Sequence, residues 1–124
     1  MPHIDIKISK STDAQTKDKL QRAIAGSMEL IPGKTAANTL ICVSDNYSMY
    51  RDTECIEAAF ADIRLYRESP EDNKRAFAER LFAIIEETLG IPPARVQINF
   101  IEMPCWASNG KFFDARRFNG EPKN

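Results

Sequence analysis

The residues with most chemical potential stand at the start of the chain, Met1-Pro2-His3-Ile4. Removal of the initiator Met would leave Pro2 with a free secondary amine at the head of a strand. An α-amino group titrates near pH ~7.7–8.0, and burial beside apolar side chains or cations lowers that toward the range a general base needs at neutral pH. Pro is also about 5% of ordinary sequence, so a Met-Pro start arises by chance roughly one time in twenty. What gives the terminus meaning is whether the rest of the chain is built to place it.

The elements around it are readable. Ile4, Ile6 and Ile8 alternate with His3, Asp5 and Lys7, which predicts a half-buried strand from His3 to Ser9. Thr12, three before Gln15, forms a capping-box pattern, and Leu20, Ile24, Met28 and Ile31 recur at helical spacing until Pro32-Gly33, predicting a helix over roughly 13–30. The run Thr39-Leu40-Ile41-Cys42-Val43 reads as a strand buried on both faces. Ser44 to Glu54 reads as a turn or short hairpin. Ala58 to Leu65 is again strand-like. Ser69 and Pro70 then supply an N-cap and a first-position Pro for a helix through Phe77, Leu81, Ile84, Ile85 and Leu89 to Gly90. Val96, Ile98 and Phe100 alternate with Gln97 and Asn99 in a fourth long strand, and Phe112-Phe113 ends a short final one.

The two halves superpose without gaps. Ile63 over Ile6 is an offset of 63 − 6 = 57, and the same offset aligns Ser69 with Thr12, Phe77 with Leu20, Leu81 with Ile24, Gly90 with Gly33 and Ile98 with Ile41. A tandem β-α-β unit follows, with pseudo-repeats at about 2–45 and 58–103 and a C-terminal tail at 111–124, all within one domain spanning 1–124. The predicted class is α+β: a four-stranded sheet with two helices on one face plus a short C-terminal strand. Either a ferredoxin-like sandwich or a tautomerase fold satisfies that order.

Composition narrows the function. The chain has 124 residues, 43% hydrophobic and 28% charged, with a formal net charge of −1. No basic field for nucleic acid is present, and no apolar stretch approaches the ~20 residues needed to span a bilayer, so neither partner is expected and the protein is read as cytoplasmic. Cys42, Cys55 and Cys105 lack CxxC or Cys/His metal spacing and read as small core or interface residues.

On Met1-Pro2, Gly33-Lys34, the Ile63–Arg67 stretch, Leu89-Gly90-Ile91-Pro92 and Arg95–Pro104, the chain resembles the tautomerase superfamily over about 1–113. It looks most like the two-repeat macrophage migration inhibitory factor and cis-3-chloroacrylic acid dehalogenase groups. The resemblance implies a homotrimer with Pro2 at the bottom of an apolar pocket, shuttling a proton between oxygen and carbon of an enol or dienol acid without a cofactor or metal. Lys34 then matches a lysine at the pocket mouth that pairs with a substrate carboxylate; alternatively it is a solvated loop lysine. Ile63 matches an isoleucine whose backbone lies beside the amine, and Asn99 matches a strand asparagine contributed by another subunit. Arg64 and Arg67 share the spacing of paired arginines that grip a carboxylate, a task suited to the planar guanidinium fork. Trp106 falls where an aromatic walls the pocket.

Departures from both groups are as informative. Gln97 replaces a strand tyrosine, Met28 falls near a helix histidine, and Cys105-Trp106-Ala107-Ser108 follows Pro104 where a water-activating glutamate is expected. Glu102 is read as structural. The leading expectation is an isomerase, a keto–enol tautomerase of a small 2-oxo acid such as a phenylpyruvate-like substrate. The alternatives are a cis-3-haloacrylate dehalogenase or hydratase using Arg64 and Arg67, and a non-catalytic trimeric binding or signalling protein.

Overall fold

The computed structural model describes residues 2–117; Met1 and 118–124, including Phe118 of the tail, lie outside the described residues. Strand β1 (Pro2–Ile8) leads into helix α1 (Ala14–Ser27), a 3-10 turn (Met28–Leu30), and strand β2 (Leu40–Ser44). A two-residue hairpin, β3 (Tyr50–Arg51) with β4 (Glu54–Cys55), precedes β5 (Ala59–Tyr66), helix α2 (Glu71–Leu89) and β6 (Val96–Met103). A second hairpin follows, β7 (Cys105–Ser108) with β8 (Lys111–Asp114), where sequence patterning gives only one short strand.

The main sheet has the order β2-β1-β5-β6. β2 runs parallel to β1 and β6 parallel to β5, while β1 and β5 pair antiparallel at the centre, with Pro2 opposite Leu65, Ile4 opposite Ile63 and Asp5 opposite Asp62. The 57-residue offset carries the start of α1 onto the start of α2 (71 − 14 = 57), and both helix-to-strand turns use a left-handed glycine, Gly33 at φ 78° and Gly90 at φ 72°. A side chain at either position would strain that turn.

One face of the sheet carries the core. Ile4, Ile6, Ile8, Ala61, Ile63 and Leu65 interlock with Leu20 and Ile24 of α1 and with Phe77, Leu81, Ile84 and Ile85 of α2. Each fully buried Ile, Leu or Phe contributes about 1.5–3 kcal/mol relative to its exposed state. Among the described residues, no helix is long and apolar enough to cross a membrane.

Several expectations are corrected. β2 is not buried on both faces: it is a sheet edge, and Leu40 is 70% exposed. A run of apolar residues does not distinguish a central strand from an edge strand. Cys42 and Cys55 are exposed rather than in the core. The α1 cap is Asp13, whose carboxylate accepts the Thr16 N–H at 2.7 Å, while Thr12 instead donates its N–H to Asp45. Pro70, not Ser69, occupies the cap position of α2, and the Ser69 N–H donates to Glu102 at 2.6 Å.

Candidate active site

Pro2 is buried at the open end of β1. It borders a cavity of about 440 Å³ whose other walls include Asn38, Thr39 and Leu40 on one side and Trp106, Ala107 and Ser108 of β7 on the other. Trp106 is therefore brought to Pro2 within one chain. It is set there by the second hairpin, in which it pairs with Phe113 across a turn at Asn109-Gly110, both residues left-handed.

Lys34 reaches the same end of the sheet from the α1-to-β2 connection. The Gly33 turn and the Lys34 N–H bond to Ile31 O (3.1 Å) point the chain back toward the core. Asn38 fixes the loop by accepting the Thr35 N–H (3.0 Å) and donating to Gly33 O (3.3 Å). The lysine is not a solvated loop residue: it is 2% exposed, with Nζ 3.5 Å from the carbonyl oxygen of Tyr66. Burial, reinforced by the nearby charge of Arg67, pushes its ammonium down to about 8.

Arg67 closes β5 in a left-handed conformation (φ 57°), and its N–H donates to Met103 O at 2.8 Å. For a non-glycine residue that backbone costs roughly 1–2 kcal/mol, and strain of this kind gathers at functional sites. Arg67 also borders a neighbouring cavity of about 730 Å³ with Glu102, Met103 and Arg116.

The preceding residue, Tyr66, is one that sequence reasoning passed over. Its side chain is fully buried and its ring meets Phe113 edge-on, with centroids 6.3 Å apart. Burial first, then the charge of Asp114, pushes its phenol up. Asp114 is held down at about 2 by hydrogen bonds from Arg116, which clamp the base of the hairpin. The sequence pattern gives no signal for Tyr66, because strict alternation after Leu65 calls for an exposed side chain there.

The other expected site residues lie elsewhere. Ile63 is 0% exposed in the core, opposite Ile4; the β1–β5 register puts Leu65 opposite Pro2, so Ile63 does not adjoin the terminus. Arg64 is exposed and alternates with core-facing Ile63 and Leu65, so it leaves the sheet on the face away from the helices. Asn99 is exposed on that outer face and donates to Asp62 at 3.1 Å. Gln97 is also exposed there, bordering a separate cavity of about 280 Å³ with Tyr50, Phe60 and Arg95. Glu102 takes the Ser69 N–H and the Lys74 ammonium (2.8 Å), tying β6 to α2. Among the described residues, no group of three or more His, Cys, Asp and Glu is placed to hold a metal ion.

The buried proline and the aromatic wall share one cavity, and Lys34 and Arg67 stand at the same end of the β1–β5 pair, Lys34 against Tyr66 and Arg67 on the neighbouring cavity. Such an arrangement can take a small planar anion, neutralise its carboxylate and exclude water around it.

No family model and no curated protein sequence matches the chain. Solved structures do. Leishmania major MIF2 is 22% identical over 91% of this chain and 97% of its own, with a TM-score of 0.84. The macrophage migration inhibitory factor-like protein of Entamoeba histolytica is 19% identical over 90% and 98%, at 0.79. Pt0534, solved after inactivation by 2-oxo-3-pentynoate, is 15% identical over 93% and 98%, at 0.80. With its mixed β2-β1-β5-β6 sheet and two helices, the chain has the tautomerase fold of these solved structures.

Proposed function

We propose that the protein is a cofactor-independent keto–enol tautomerase of small 2-oxo acids, in which Pro2, freed of Met1, is the general base and acid. The observation that carries this reading is the placement of Pro2: buried at the head of β1, on a cavity walled by Trp106, at the strand end where Lys34 is buried beside Tyr66 and under the influence of Arg67. A secondary amine there removes a proton from the carbon next to the keto group. The two cations take the negative charge of the carboxylate and of the developing enolate, and Trp106 stacks on the conjugated acid.

A cytoplasmic homotrimer is part of the proposal. The exposed apolar residues Leu40 on edge strand β2 and Ile101 on edge strand β6 are suited to subunit contact, and the exposure of Asn99 and Gln97 on the outer face supports a role for them toward a neighbour. Dehalogenation or hydration ranks below tautomerisation, because Arg64 lies on the outer face of the sheet and no glutamate follows Pro104 in Cys105-Trp106-Ala107-Ser108.

The test is enol formation from phenylpyruvate by wild type and Pro2→Ala, with Met1 removal confirmed for both by mass spectrometry. The expected result is a loss of at least about 10²-fold in kcat/KM, in line with general acid–base contributions. Equal rates would contradict the assignment of Pro2, and a wild-type rate no greater than that without protein would leave a non-catalytic binding role.

A further inference from the structure

The cavity on which Pro2 lies is also lined by His3, the next residue of β1. Successive strand residues point to opposite faces, so Pro2 turns to the helices while the half-buried His3 stands on the outer face, and the cavity at the strand end takes in both. A small ligand held against the Pro2 amine therefore has the imidazole at its flank.

The polar side chains on that cavity are not equivalent. Asn38 and Thr39 are committed to the loop: the Asn38 amide holds the Thr35 N–H and Gly33 O, and the Thr39 hydroxyl donates to Thr35 O at 2.6 Å. His3 is set differently. Across the sheet it lies opposite Leu40 of β2 and Arg64 of β5, one side chain that is apolar and one that only donates, so neither accepts an imidazole N–H. The donor is left for what fills the cavity.

Building on the tautomerase reading, we infer that His3 is a second catalytic residue, whose imidazole N–H donates to the substrate's keto oxygen and holds the charge that gathers there as the enolate forms. The Pro2 amine takes the proton from the carbon beside the keto group, the C–H pair becomes the new C=C bond, and the C=O pair moves to oxygen. That oxygen then receives the proton from the Pro2 ammonium, which gives the enol and restores the amine. The imidazole keeps its own proton throughout. Lys34 and Arg67 act on the same charge from the same strand end, whereas His3 meets it through a hydrogen bond at the cavity wall. A donor fixed where charge develops is worth about 10²–10³ in kcat.

The test is steady-state enol formation from phenylpyruvate by wild type, His3→Leu, His3→Phe and His3→Gln, with Met1 removal and folding confirmed for each. His3→Leu and His3→Phe remove the donor with two different shapes, so a packing defect peculiar to one is exposed by the other. Both should lower kcat about 10²-fold with KM changed less than about threefold. His3→Gln offers an amide N–H and should recover at least tenfold of that loss. Wild-type kcat in the folded Leu or Phe variant, or a change in KM alone, would overturn the role of His3 while the Pro2 mechanism stands. Equal losses in all three variants would overturn it as well, since the amide keeps a donor. If wild type forms no enol from phenylpyruvate or other 2-oxo acids, the tautomerase reading falls and this inference with it.

Discussion

Asp5 lies directly opposite Asp62 in the antiparallel pairing of β1 with β5, and the two are also equivalent under the repeat (62 − 5 = 57), so the pseudo-two-fold axis of the fold passes between them. Both face away from the helices. Asp5 is paired with Lys7 at 2.9 Å, and Asp62 accepts from Asn99. Like charges directly opposite on a sheet are unfavourable, so Asp62→Asn, which keeps an acceptor for Asn99, should raise unfolding stability by about 0.2–1 kcal/mol in urea at pH 7.

Lys34 makes the fold pH-dependent in a direction opposite to that of a salt-bridged lysine. Its folded pKa, about 8, lies below the ordinary 10.5, so the unfolded chain binds more protons between those values and stability rises as pH rises through that window. Lys34→Met should stabilise the protein at pH 7 by on the order of 1–3 kcal/mol, flatten the rise between pH 8 and 10.5, and impair catalysis. Parallel denaturation of both proteins at pH 7 and 10 checks this. A variant less stable than wild type at pH 7 would contradict the buried-cation account.

Arg67 separates backbone from side chain. Arg67→Gly relieves the left-handed strain and should unfold at the same temperature as wild type or a few degrees higher, whereas Arg67→Ala keeps the strain and should be less stable than Arg67→Gly by about 1 kcal/mol. Both should bind a 2-oxo acid more weakly. Arg64→Ala, on the outer face, should leave KM within about twofold; calorimetric melting and steady-state kinetics on the three variants distinguish these outcomes.

Glu102 is a structural tie rather than a reacting group. It satisfies the Ser69 N–H and the Lys74 ammonium where α2 begins. Glu102→Ala should cost about 1–3 kcal/mol by leaving a part-buried donor and cation unpaired, and Glu102→Gln should recover much of that. At temperatures where the variants remain folded, KM should be unchanged.

What the sequence revealed followed from periodicity. Ile4-Ile6-Ile8, the helical series through Leu20 and Phe77, and the glycines at 33 and 90 determine which elements form, because side-chain period and left-handed turns are local properties. Register is not local. It decides whether Ile63 or Leu65 faces Pro2, and the antiparallel pairing selects Leu65. Burial of Lys34 depends on a loop that turns inward at Gly33, and burial of Tyr66 depends on a hairpin about forty residues away that brings Phe113 over it. A linear pattern carries neither. The same holds for β2, whose apolar composition suits an edge awaiting a partner as well as a central strand.

The most direct test of the account is chemical modification of Pro2 in the mature protein. Treated at pH 7 with a 3-halopropiolate, the protein should lose enol-forming activity in step with one adduct per chain, and the mass increment should map to an N-terminal peptide beginning at Pro2. An N-terminal peptide that still carries Met1, or an unmodified Pro2 in protein that has lost its activity, would contradict it.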